Sequence, residues 1–529
     1  MSGHPERPET PHETVPSLLE ALSDEMGEAP LMLFEDRVLS YAEMNARANA
    51  VANALAQRGI ESGDHVATLL YNSPEHLSVL FGVAKLGGVA VPINVNVKAN
   101  GLAHIVNDSD SKVVIVEKET VDNYEAIRDD VGNVREAYVL GTERDGYHPF
   151  DELLDGDRNR NPEPSVELSD PMSIIYTSGT TGLPKGVVLP HYSYINTGMR
   201  TATMFELTDD DRLFTTLPLF HCNAQQTTVM AAMLAKTSFA MERWFSASNF
   251  WDQIRTYDVT HFNFIGTMLT ALDNQPRSPD DADNPASYGI GAPVPDGFYD
   301  EFDERFGVQL VEGYGLTETA TSAARNPPDE IRAGSFGKPH PHLEMDIVDE
   351  FDRSLPPGEH GEIVVRSSVP YTMMSGYYNQ PEQTLEACRN FWFHTGDIGY
   401  KDDDGYFYFV DRKAHSIRRR GENIASAEVE MVLDEHPSVA ESAVVGVPSE
   451  LGEEDVKAYI QFNGSQAPSE LDLVKWCEDR LAYFKIPRYI EFVDDFPKTP
   501  TERIRKHELK QRGIGDVWDR NDTDYEISR

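Results

Sequence analysis

The segment 176–186 combines glycines, hydroxyl side chains and one lysine in an order suited to binding phosphate. The apolar run 172–175 precedes it and predicts a buried strand that leads into a loop. Glycines let backbone N–H groups approach an anion, and hydroxyl and ammonium groups add further donors. The residues that we expect to contribute are Thr177, Ser178, Gly179, Thr180, Thr181, Gly182 and Lys185.

The spacing within this segment differs from that of a Walker A loop. That loop places four residues between its glycines and follows the second glycine with Lys and then Ser or Thr. Here two residues separate Gly179 from Gly182, and Gly186 follows Lys185. The segment therefore indicates a nucleotide that is bound in another way.

A second cluster, 311–319, places Tyr314 between Gly313 and Gly315, with Glu318 shortly after. The aromatic ring can stack on a base that the glycines allow to come close, and a carboxylate suits Mg²⁺. Taken alone, this cluster is more typical of a simple turn.

Two further short motifs lie at 395–397 and 411–413. The carboxylate of Asp397 can accept hydrogen bonds from both hydroxyls of a ribose. Taken alone, each motif is equally typical of a surface turn or an ion pair.

The charge of the chain is strongly negative. Lys and Arg number 46 against 89 Asp and Glu, which gives a net charge of −43. The acids are spread along the chain, as at 209–211, 280–283 and 402–404, and not gathered in a tail. This distribution argues against binding to nucleic acid or to an anionic membrane. It resembles cytosolic proteins of halophiles that accumulate salt, although an acidic mesophilic enzyme is the alternative.

Length and composition limit the architecture. The 529 residues exceed one ordinary domain, and no apolar run reaches the roughly 18 residues that a membrane span requires. Residues 1–14 are polar and rich in proline and predict a flexible tail. The cysteines Cys222, Cys388 and Cys477 form no metal or disulfide pattern, so we expect a cytoplasmic protein.

The elements that must position these motifs alternate between helix and strand. Ser40 and Glu43 have capping-box spacing before a helix that ends at Gly59, and Ser73-Pro74 opens a second helix. Strands are predicted at 65–71, 89–94 and 112–116. The pattern predicts an α/β fold with doubly wound, mostly parallel sheets, whose ligands bind at the carboxyl ends of strands.

The pattern changes after about residue 330. Alternating or apolar runs at 362–366 and 406–410 predict a small antiparallel β region. Helices at 425–434 and 470–481 with a strand at 439–447 predict a smaller α+β module. We therefore expect a large domain over 15–411 and a smaller, mobile C-terminal domain over 412–529.

Together and in this order, the motifs resemble those of the acyl-adenylate-forming (AMP-binding) superfamily, which includes acyl-CoA synthetases, luciferases and peptide-synthetase adenylation domains. The resemblance runs from about residue 18 to 510. The segments that carry it are 177–186, 218–221, 291–293, 313–319, 395–397, 411–413 and 497–501.

The resemblance implies a role for each motif. The loop 177–185 would hold the β- and γ-phosphates of ATP, Thr317 the α-phosphate, and Glu318 with Thr177 the Mg²⁺ ion. His221 would stand between the nucleotide and the acyl pocket, whereas alone it is typical of a packed core histidine. The remaining nucleotide contacts, to adenine and ribose, would come from Gly291, Ala292, Pro293, Glu312, Gly313, Tyr314, Gly315, Asp397 and Arg412.

The resemblance also implies a reaction in two steps. A carboxylate attacks the α-phosphate of ATP to form an acyl-adenylate and pyrophosphate, and the thiol of coenzyme A then attacks the activated carbonyl. The C-terminal domain of this family rotates between the two steps. No covalent nucleophile is required, and catalysis consists of positioning and charge stabilisation.

Three positions depart from the family pattern. Arg503 stands where a lysine usually bridges the carboxylate and the α-phosphate, so we expect Arg503 to take that catalytic role, with Lys498 and Lys506 as alternatives. Ala414 replaces a polar hinge residue. Positive charge is concentrated before the usual glycine turn. This segment either contacts CoA or forms a solvated, ion-paired face, and its residues are Arg418, Arg419, Arg420, Gly421 and Glu422.

The substrate is less well defined. The segment 220–226 has no acid to hold a substrate amine, and we expect no carrier-protein segment after 529, so a free-standing CoA ligase is preferred. The runs 221–225 and 416–430 are most similar to the crotonobetaine/carnitine-CoA ligase branch and its fatty-acyl relatives. A quaternary ammonium would need an aromatic cage, for which Phe262, Phe264 and Tyr288 are candidates.

Several alternatives stay open at this point. Fatty, aryl and branched acids are further candidate substrates. A luciferase-like monooxygenase and a non-catalytic adenylate binder are the alternative functions. The sequence does not decide between a monomer and a homodimer.

Overall fold

The computed structural model describes residues 12–162, 164–177, 183–295, 297–412, 416–450, 452–463, 468–497, 504 and 506–527. For residues 411, 412, 416, 423, 425, 427 and 507 it describes the backbone alone. The predictions for residues 1–11, for the loop 178–182, for Ala414 and for Arg503 therefore lie outside the described residues.

The first sheet has eight strands and carries the phosphate-binding motif. Six neighbouring strands, from Pro171–Thr177 to His148–Pro149, run parallel. At the other edge, Lys185–Pro190 pairs antiparallel with Pro171–Thr177, and Gly376–Tyr377 pairs antiparallel with Lys185–Pro190. The loop after 177 thus begins at the carboxyl end of a parallel strand, as predicted. The strands in spatial order are Gly376–Tyr377, Lys185–Pro190, Pro171–Thr177, Val89–Pro92, His65–Leu69, Val113–Glu117, Glu136–Leu140 and His148–Pro149.

The second sheet has nine strands and carries the adenine motif. Six neighbouring strands run parallel, and antiparallel strands close both edges. The order is Lys338–Pro339, Ala324–Arg325, Gln309–Tyr314, Tyr288–Ala292, His261–Ile265, Arg212–Thr215, Ser238–Met241, Pro30–Phe34 and Arg37–Ser40.

Helices follow the strands of both sheets, as the alternating pattern predicts. Ser40 and Ser73 cap their helices by accepting hydrogen bonds from backbone N–H groups three residues ahead, and Pro74 takes the first helical position. The α-helices in this part of the chain are Val15–Met26, Tyr41–Gln57, Pro74–Lys85, Ala99–Asp108, Val121–Glu125, Asp151–Leu154, His191–Met204, Ala231–Leu234, Phe250–Tyr257, Gly266–Asp273, Phe298–Phe306 and Pro381–Ala387. A π-helix, Ala224–Met230, follows the motif that contains His221.

The predicted antiparallel β region is present. It is a four-stranded sheet of Leu343–Val348, Gly361–Ser367, Phe393–Lys401 and Phe407–Arg412. Its last two strands pair Asp397 with Arg412, which brings two separate ribose candidates into one register.

The C-terminal part is α+β, as predicted. A two-stranded hairpin, Ser416–Arg419 with Glu422–Ala425, precedes a four-stranded sheet and its helices. The strands of that sheet are Val439–Pro448, Glu454–Phe462, Tyr489–Phe492 and Trp518–Asp519, and the helices are Ser426–Asp434, Glu470–Glu478 and Lys506–Gln511.

The two parts of the molecule have separate apolar cores. The larger core joins helices and strands of both large sheets, from Val15 to Val369. The C-terminal core includes Ile417, Val444 and Leu473. Within the described residues, no helix combines the length and apolar character needed to cross a bilayer.

Candidate active site

Lys185 lies at the base of the predicted phosphate loop. It begins the strand Lys185–Pro190 and pairs in register with Thr177, the last residue of the preceding strand. Its Nζ lies 5.2 Å from the centre of the Tyr377 ring, and His104 bonds to the carbonyl of Pro184 at 3.0 Å. The end of the loop that leads into this strand is therefore held by neighbouring side chains.

Glu318 and Lys185 both contact Tyr377. The hydroxyl of Tyr377 donates to Oε1 of Glu318 at 2.9 Å, and the N–H of Met374 donates to the Glu318 carbonyl at 2.9 Å. Burial, with the nearby carboxylate, raises the pKa of Tyr377, so it acts as a neutral donor. The structure thus brings the two predicted phosphate and metal residues together.

The adenine candidates occupy the ends of two neighbouring parallel strands. Gly291 and Ala292 end the strand Tyr288–Ala292, with Pro293 directly after it. Glu312, Gly313 and Tyr314 end the adjacent strand Gln309–Tyr314, with Gly315 directly after it. These separate motifs therefore form one edge of the second sheet.

Tyr314 is fixed on two sides. Its ring stacks on Phe336 with centroids 4.5 Å apart, and its hydroxyl donates to Oδ2 of Asp397 at 2.6 Å. Asp397 is buried, at 2% exposure, and its backbone faces that of Arg412. The adenine and ribose candidates thus lie within hydrogen-bond distance of each other.

Glu312 is engaged inside the protein. Its carboxylate accepts a hydrogen bond from the N–H of Val294 at 3.2 Å and from the hydroxyl of Tyr299 at 2.8 Å. These contacts support the turn that follows Pro293. The structure therefore gives Glu312 a role in shaping the adenine site, in addition to its predicted place in it.

Thr317 begins a short 3₁₀ turn, Thr317–Thr319, directly after the adenine strand. Its Oγ1 lies 4.0 Å from Sγ of Cys222, the residue after His221. Burial raises the pKa of the Cys222 thiol, which keeps it protonated and unreactive. The contact joins the predicted α-phosphate residue to the segment 218–221.

His221 meets the C-terminal hairpin. Its Nε2 lies 3.6 Å from Oε2 of Glu422, whose Oε1 accepts a hydrogen bond from Asn94 at 3.2 Å. Burial alone would raise the pKa of Glu422, but His221, Lys485 and Asn94 together hold it below its ordinary value. A charged carboxylate from the C-terminal part thus reaches the histidine of the large part.

The tip of this hairpin makes a close backbone approach. Gly421 has φ of +79°, and a Cβ at this position would lie 2.2 Å from Cδ1 of Ile265. Ile265 ends a strand of the second sheet, close to the adenine edge. Both its conformation and this contact therefore favour glycine at 421.

The three arginines before Gly421 have different environments. Arg419 is buried at 3% exposure, pairs with Asp455 at 2.8 Å and donates to the carbonyls of Phe484 and Ile486. Arg418 and Arg420 are exposed, and Arg420 lines a pocket of about 200 Å³ that also includes Thr267 of the large part. The charge of Arg419 is thus paired with that of Asp455 inside the C-terminal part.

The alternatives to Arg503 are partly described. Nζ of Lys506 bonds to Ser426 at 2.8 Å and pairs with Glu430 at 2.6 Å, inside the C-terminal part. Lys498 and Arg503 lie outside the described residues.

The predicted aromatic cage is not formed. Tyr288 pairs in register with His261 and stacks on its ring, which places it on one face of the second sheet. Phe262 and Phe264 alternate with His261 along the strand and lie on the other face, where Phe262 packs against Phe250. The cage hypothesis is therefore wrong for this trio.

Sequence reasoning missed several residues of this site. Tyr377, Asn94 and Phe336 lie in segments without a recognisable motif, and each reaches the site only through folding. The Gly376-Tyr377 pair carries only a weak signal in the sequence.

Comparison with known proteins agrees with this arrangement. The family model described as AMP-binding enzyme matches residues 19–378, and that for the AMP-binding enzyme C-terminal domain matches residues 428–503. The crotonobetaine/carnitine–CoA ligase of Salmonella agona (strain SL483) is 35% identical over 508 residues, covering 92% of this chain and 96% of that protein.

Two solved structures of one enzyme are also similar. A double mutant of o-succinylbenzoate CoA synthetase from Bacillus subtilis, bound with its product analogue OSB-NCoA, has a TM-score of 0.84 at 28% identity and covers 94% of this chain and 99% of its own. The same synthetase in complex with AMP has a TM-score of 0.69 at 27% identity, covering 95% and 99%. From the matched family models and this near-complete coverage, the chain belongs to the AMP-binding enzyme family.

Proposed function

We propose that this chain is an AMP-forming acid–thiol ligase that joins a carboxylic acid to coenzyme A. The acid first displaces pyrophosphate from ATP to give an acyl-adenylate, and the thiol of CoA then displaces AMP. The observation that supports the proposal is that Lys185 and Glu318 both contact Tyr377, and that Tyr314, four residues before Glu318, bonds to Asp397, in a chain whose relatives are CoA ligases.

The phosphates of ATP bind at Lys185 and the preceding loop in this proposal. Glu318 and Thr177 would hold Mg²⁺, and the donor set fits, because a carboxylate and a hydroxyl lie at the same end of the site as the lysine. When bound, the ion would neutralise phosphate charge. Tyr377 orients the Glu318 carboxylate by its hydrogen bond.

The nucleoside binds between the edge of the second sheet and Asp397. Tyr314 contacts adenine, and its hydroxyl fixes the carboxylate of Asp397 for the ribose hydroxyls. Arg412 completes the ribose site, which the register with Asp397 supports.

The domain arrangement is that of the second, thioester-forming step in this proposal. The similarity to the product-analogue complex, at a TM-score of 0.84, exceeds that to the AMP complex of the same synthetase, at 0.69. The contact between His221 and Glu422 supports the same assignment, because it joins the two parts of the chain at the acyl site.

The phosphates of CoA approach Arg418 and Arg420 in this arrangement. Both are exposed, and Arg420 faces the large part across a pocket. Arg419 supports the hairpin from within through Asp455, while Gly421 and Glu422 border the thiol path. Arg418 pairs with Glu453 at 3.6 Å, and Glu450, Glu453, Glu454 and Asp455 line the pocket beside Arg420, so the phosphates of CoA would have to compete with these carboxylates for the two arginines.

Arg503 bridges the carboxylate and the α-phosphate in the first step. The pairing of Lys506 with Glu430 supports this choice, because that lysine is already neutralised. A cytoplasmic location is favoured by ATP and CoA as co-substrates.

The experiment that tests the function is ATP–pyrophosphate exchange over a panel of carboxylic acids, followed by CoA-dependent release of AMP. Acid-dependent exchange with CoA-dependent thioester formation is the expected result. Oxygen uptake from the adenylate without CoA would favour the monooxygenase, and no exchange with any acid would favour a non-catalytic adenylate binder.

A further inference from the structure

Two arginines lie in the interior of the large part, and among the described residues neither has a carboxylate partner. Arg200, in the helix His191–Met204, is 6% exposed, and Arg325, in the strand Ala324–Arg325, is 5% exposed. In the described part of the chain, neither makes an ion pair, and Nε and Nη1 of both guanidinium groups have no hydrogen-bond partner. Two donor nitrogens of each guanidinium group are thus buried without a partner among the described residues.

Both groups are held in position by neutral neighbours. Nη2 of Arg200 donates to Oγ1 of Thr197 at 2.9 Å, and the guanidinium of Arg325 lies 5.9 Å from the centre of the Phe205 ring. Each arginine is therefore oriented while its remaining donors stay unpaired.

The arrangement is unfavourable without a ligand. Burial, together with the charge of Arg325, lowers the pKa of Arg200 to about 9, and burial lowers that of Arg325 to about 10. Both groups therefore stay charged at neutral pH. Burial and these two charges also depress the pKa of His340, which stays neutral. Two buried like charges without an anion are costly, and an anionic ligand offsets that cost.

The cluster adjoins the predicted reaction site on the side of the second sheet. A Cβ on Gly313, next to Tyr314, would lie 3.3 Å from Nε of Arg325. Thr197, which holds Arg200, donates to the carbonyl of Ala320 at 3.1 Å, just after Thr317. Arg325 thus lies directly behind the glycine of the nucleotide motif.

The chain that follows His221 also contacts this region. Gln226 follows Cys222 in the chain, and its Oε1 accepts a hydrogen bond from Thr321 at 3.0 Å. Its Nε2 is buried and has no partner among the described residues. The unpaired amide of Gln226 and the unpaired guanidinium donors of the two arginines therefore border one segment, 317–325, which begins with the α-phosphate candidate Thr317.

We propose that Arg200 and Arg325 bind a second carboxylate on the acid substrate, at the end away from the carboxylate that is activated. The substrate class is then dicarboxylic acids. The inference rests on the proposed function. Two guanidinium groups can hold a carboxylate through paired, charge-assisted hydrogen bonds, and Gln226 can add an amide donor. A trimethylammonium group is disfavoured here, because it would add a third positive charge in the interior.

The test compares acids in ATP–pyrophosphate exchange with the full-length protein. The panel contains dicarboxylic acids of three to eight carbons, monocarboxylic acids of the same lengths, and carnitine with crotonobetaine. One dicarboxylic acid is expected to exceed its matched monocarboxylic acid in kcat/KM by at least about 30-fold. This comparison needs only the wild-type protein.

Variants then assign the preference to these side chains. Arg200→Gln and Arg325→Gln should each reduce the ratio of dicarboxylic to monocarboxylic kcat/KM to within about threefold, the loss expected when a charged partner is removed. Arg305→Gln is the matched control, because Arg305 is equally buried but pairs with Asp273 and Asp281. It should lower stability and preserve the ratio.

Thermal unfolding gives an independent measurement. Arg200→Met should leave the melting temperature unchanged or raise it, whereas Arg305→Met should lower it, since only the latter removes a buried cation from two half-buried carboxylates, Asp273 and Asp281. Exchange that prefers monocarboxylic or trimethylammonium acids would overturn the inference and leave the proposed function intact. Exchange with no acid would overturn both.

Discussion

Gly421→Ala should slow thioester formation selectively. The methyl group would lie 2.2 Å from Cδ1 of Ile265 when the hairpin tip meets the large part of the chain. A rotated C-terminal domain in the adenylation step would remove that contact. The two half-reactions should therefore respond differently to the same substitution.

The magnitude follows from separating two costs. Alanine at a φ of +79° costs about 1 to 2 kcal/mol, but this strain lies within the hairpin and is present in both arrangements. Overpacking against Ile265 occurs only in the docked arrangement and costs about 1 to 3 kcal/mol in general. Because Cδ1 is the end of a side chain that can rotate, about 1 to 2 kcal/mol is reasonable, which is a factor of about 5 to 30.

The assay measures each step alone. Thioester formation is followed in a single turnover from preformed acyl-adenylate and CoA, and adenylation by ATP–pyrophosphate exchange. Gly405→Ala is the matched control, because Gly405 has a φ of +81° and no atom lies within 4 Å of the position that its new methyl group would take. Adding Ile265→Ala to the Gly421→Ala protein should restore most of the thioester rate.

Two results would refute this reasoning. If Gly421→Ala and Gly405→Ala had the same thioester rate, contact with Ile265 would not limit docking. If exchange fell as far as thioester formation, the hairpin would be needed in the same position for both steps, and the domain assignment would fail.

Three further predictions concern the nucleotide and the salt response. Tyr314→Phe should raise the KM for ATP by about 5- to 100-fold, because it removes the bond to buried Asp397, while Tyr408→Phe, which loses a bond to half-buried Asp402 outside the proposed nucleotide site, should have little effect. Glu318→Gln, like EDTA, should suppress exchange but spare thioester formation from preformed adenylate; equal losses would argue against a metal role. The free energy of unfolding should rise with KCl up to molar concentration, and full stability without salt would contradict the halophilic interpretation.

Local motifs predicted the α/β class of this fold and several of its elements, whereas the nucleotide site that they indicate stays a prediction. Ser40 and Ser73 cap helices where their spacing indicated, and the phosphate loop begins at the end of a buried strand. These features depend on residues close in sequence, so they can be inferred from a short window. The order of the motifs supported the family resemblance, from which the roles proposed for the nucleotide site were taken.

Contacts between distant residues could not be predicted. Tyr377 reaches Glu318 across 59 positions, and Asn94 reaches Glu422 across 328. The cage hypothesis failed for a related reason, because the register of the second sheet decides which face Tyr288 shares. In the sequence, the three adjacent arginines were equally good candidates for binding CoA. The structure distinguishes Arg419, because its side chain is buried and paired with Asp455.

Because the net charge is −43, the buried cations Arg200 and Arg325 matter for the binding of anionic substrates. ATP, CoA and a dicarboxylic acid are all anions, and the field of the whole protein opposes their approach at low salt. Molar salt would screen that repulsion beyond about 3 Å, whereas contacts inside the protein are screened far less. Arg200 and Arg325 would therefore keep their attraction for a carboxylate under the conditions in which the surface charge no longer matters. Acids outnumber bases in this chain, yet among the described residues two buried arginines have no carboxylate partner, and the proposed selectivity for a second carboxylate rests on those positions.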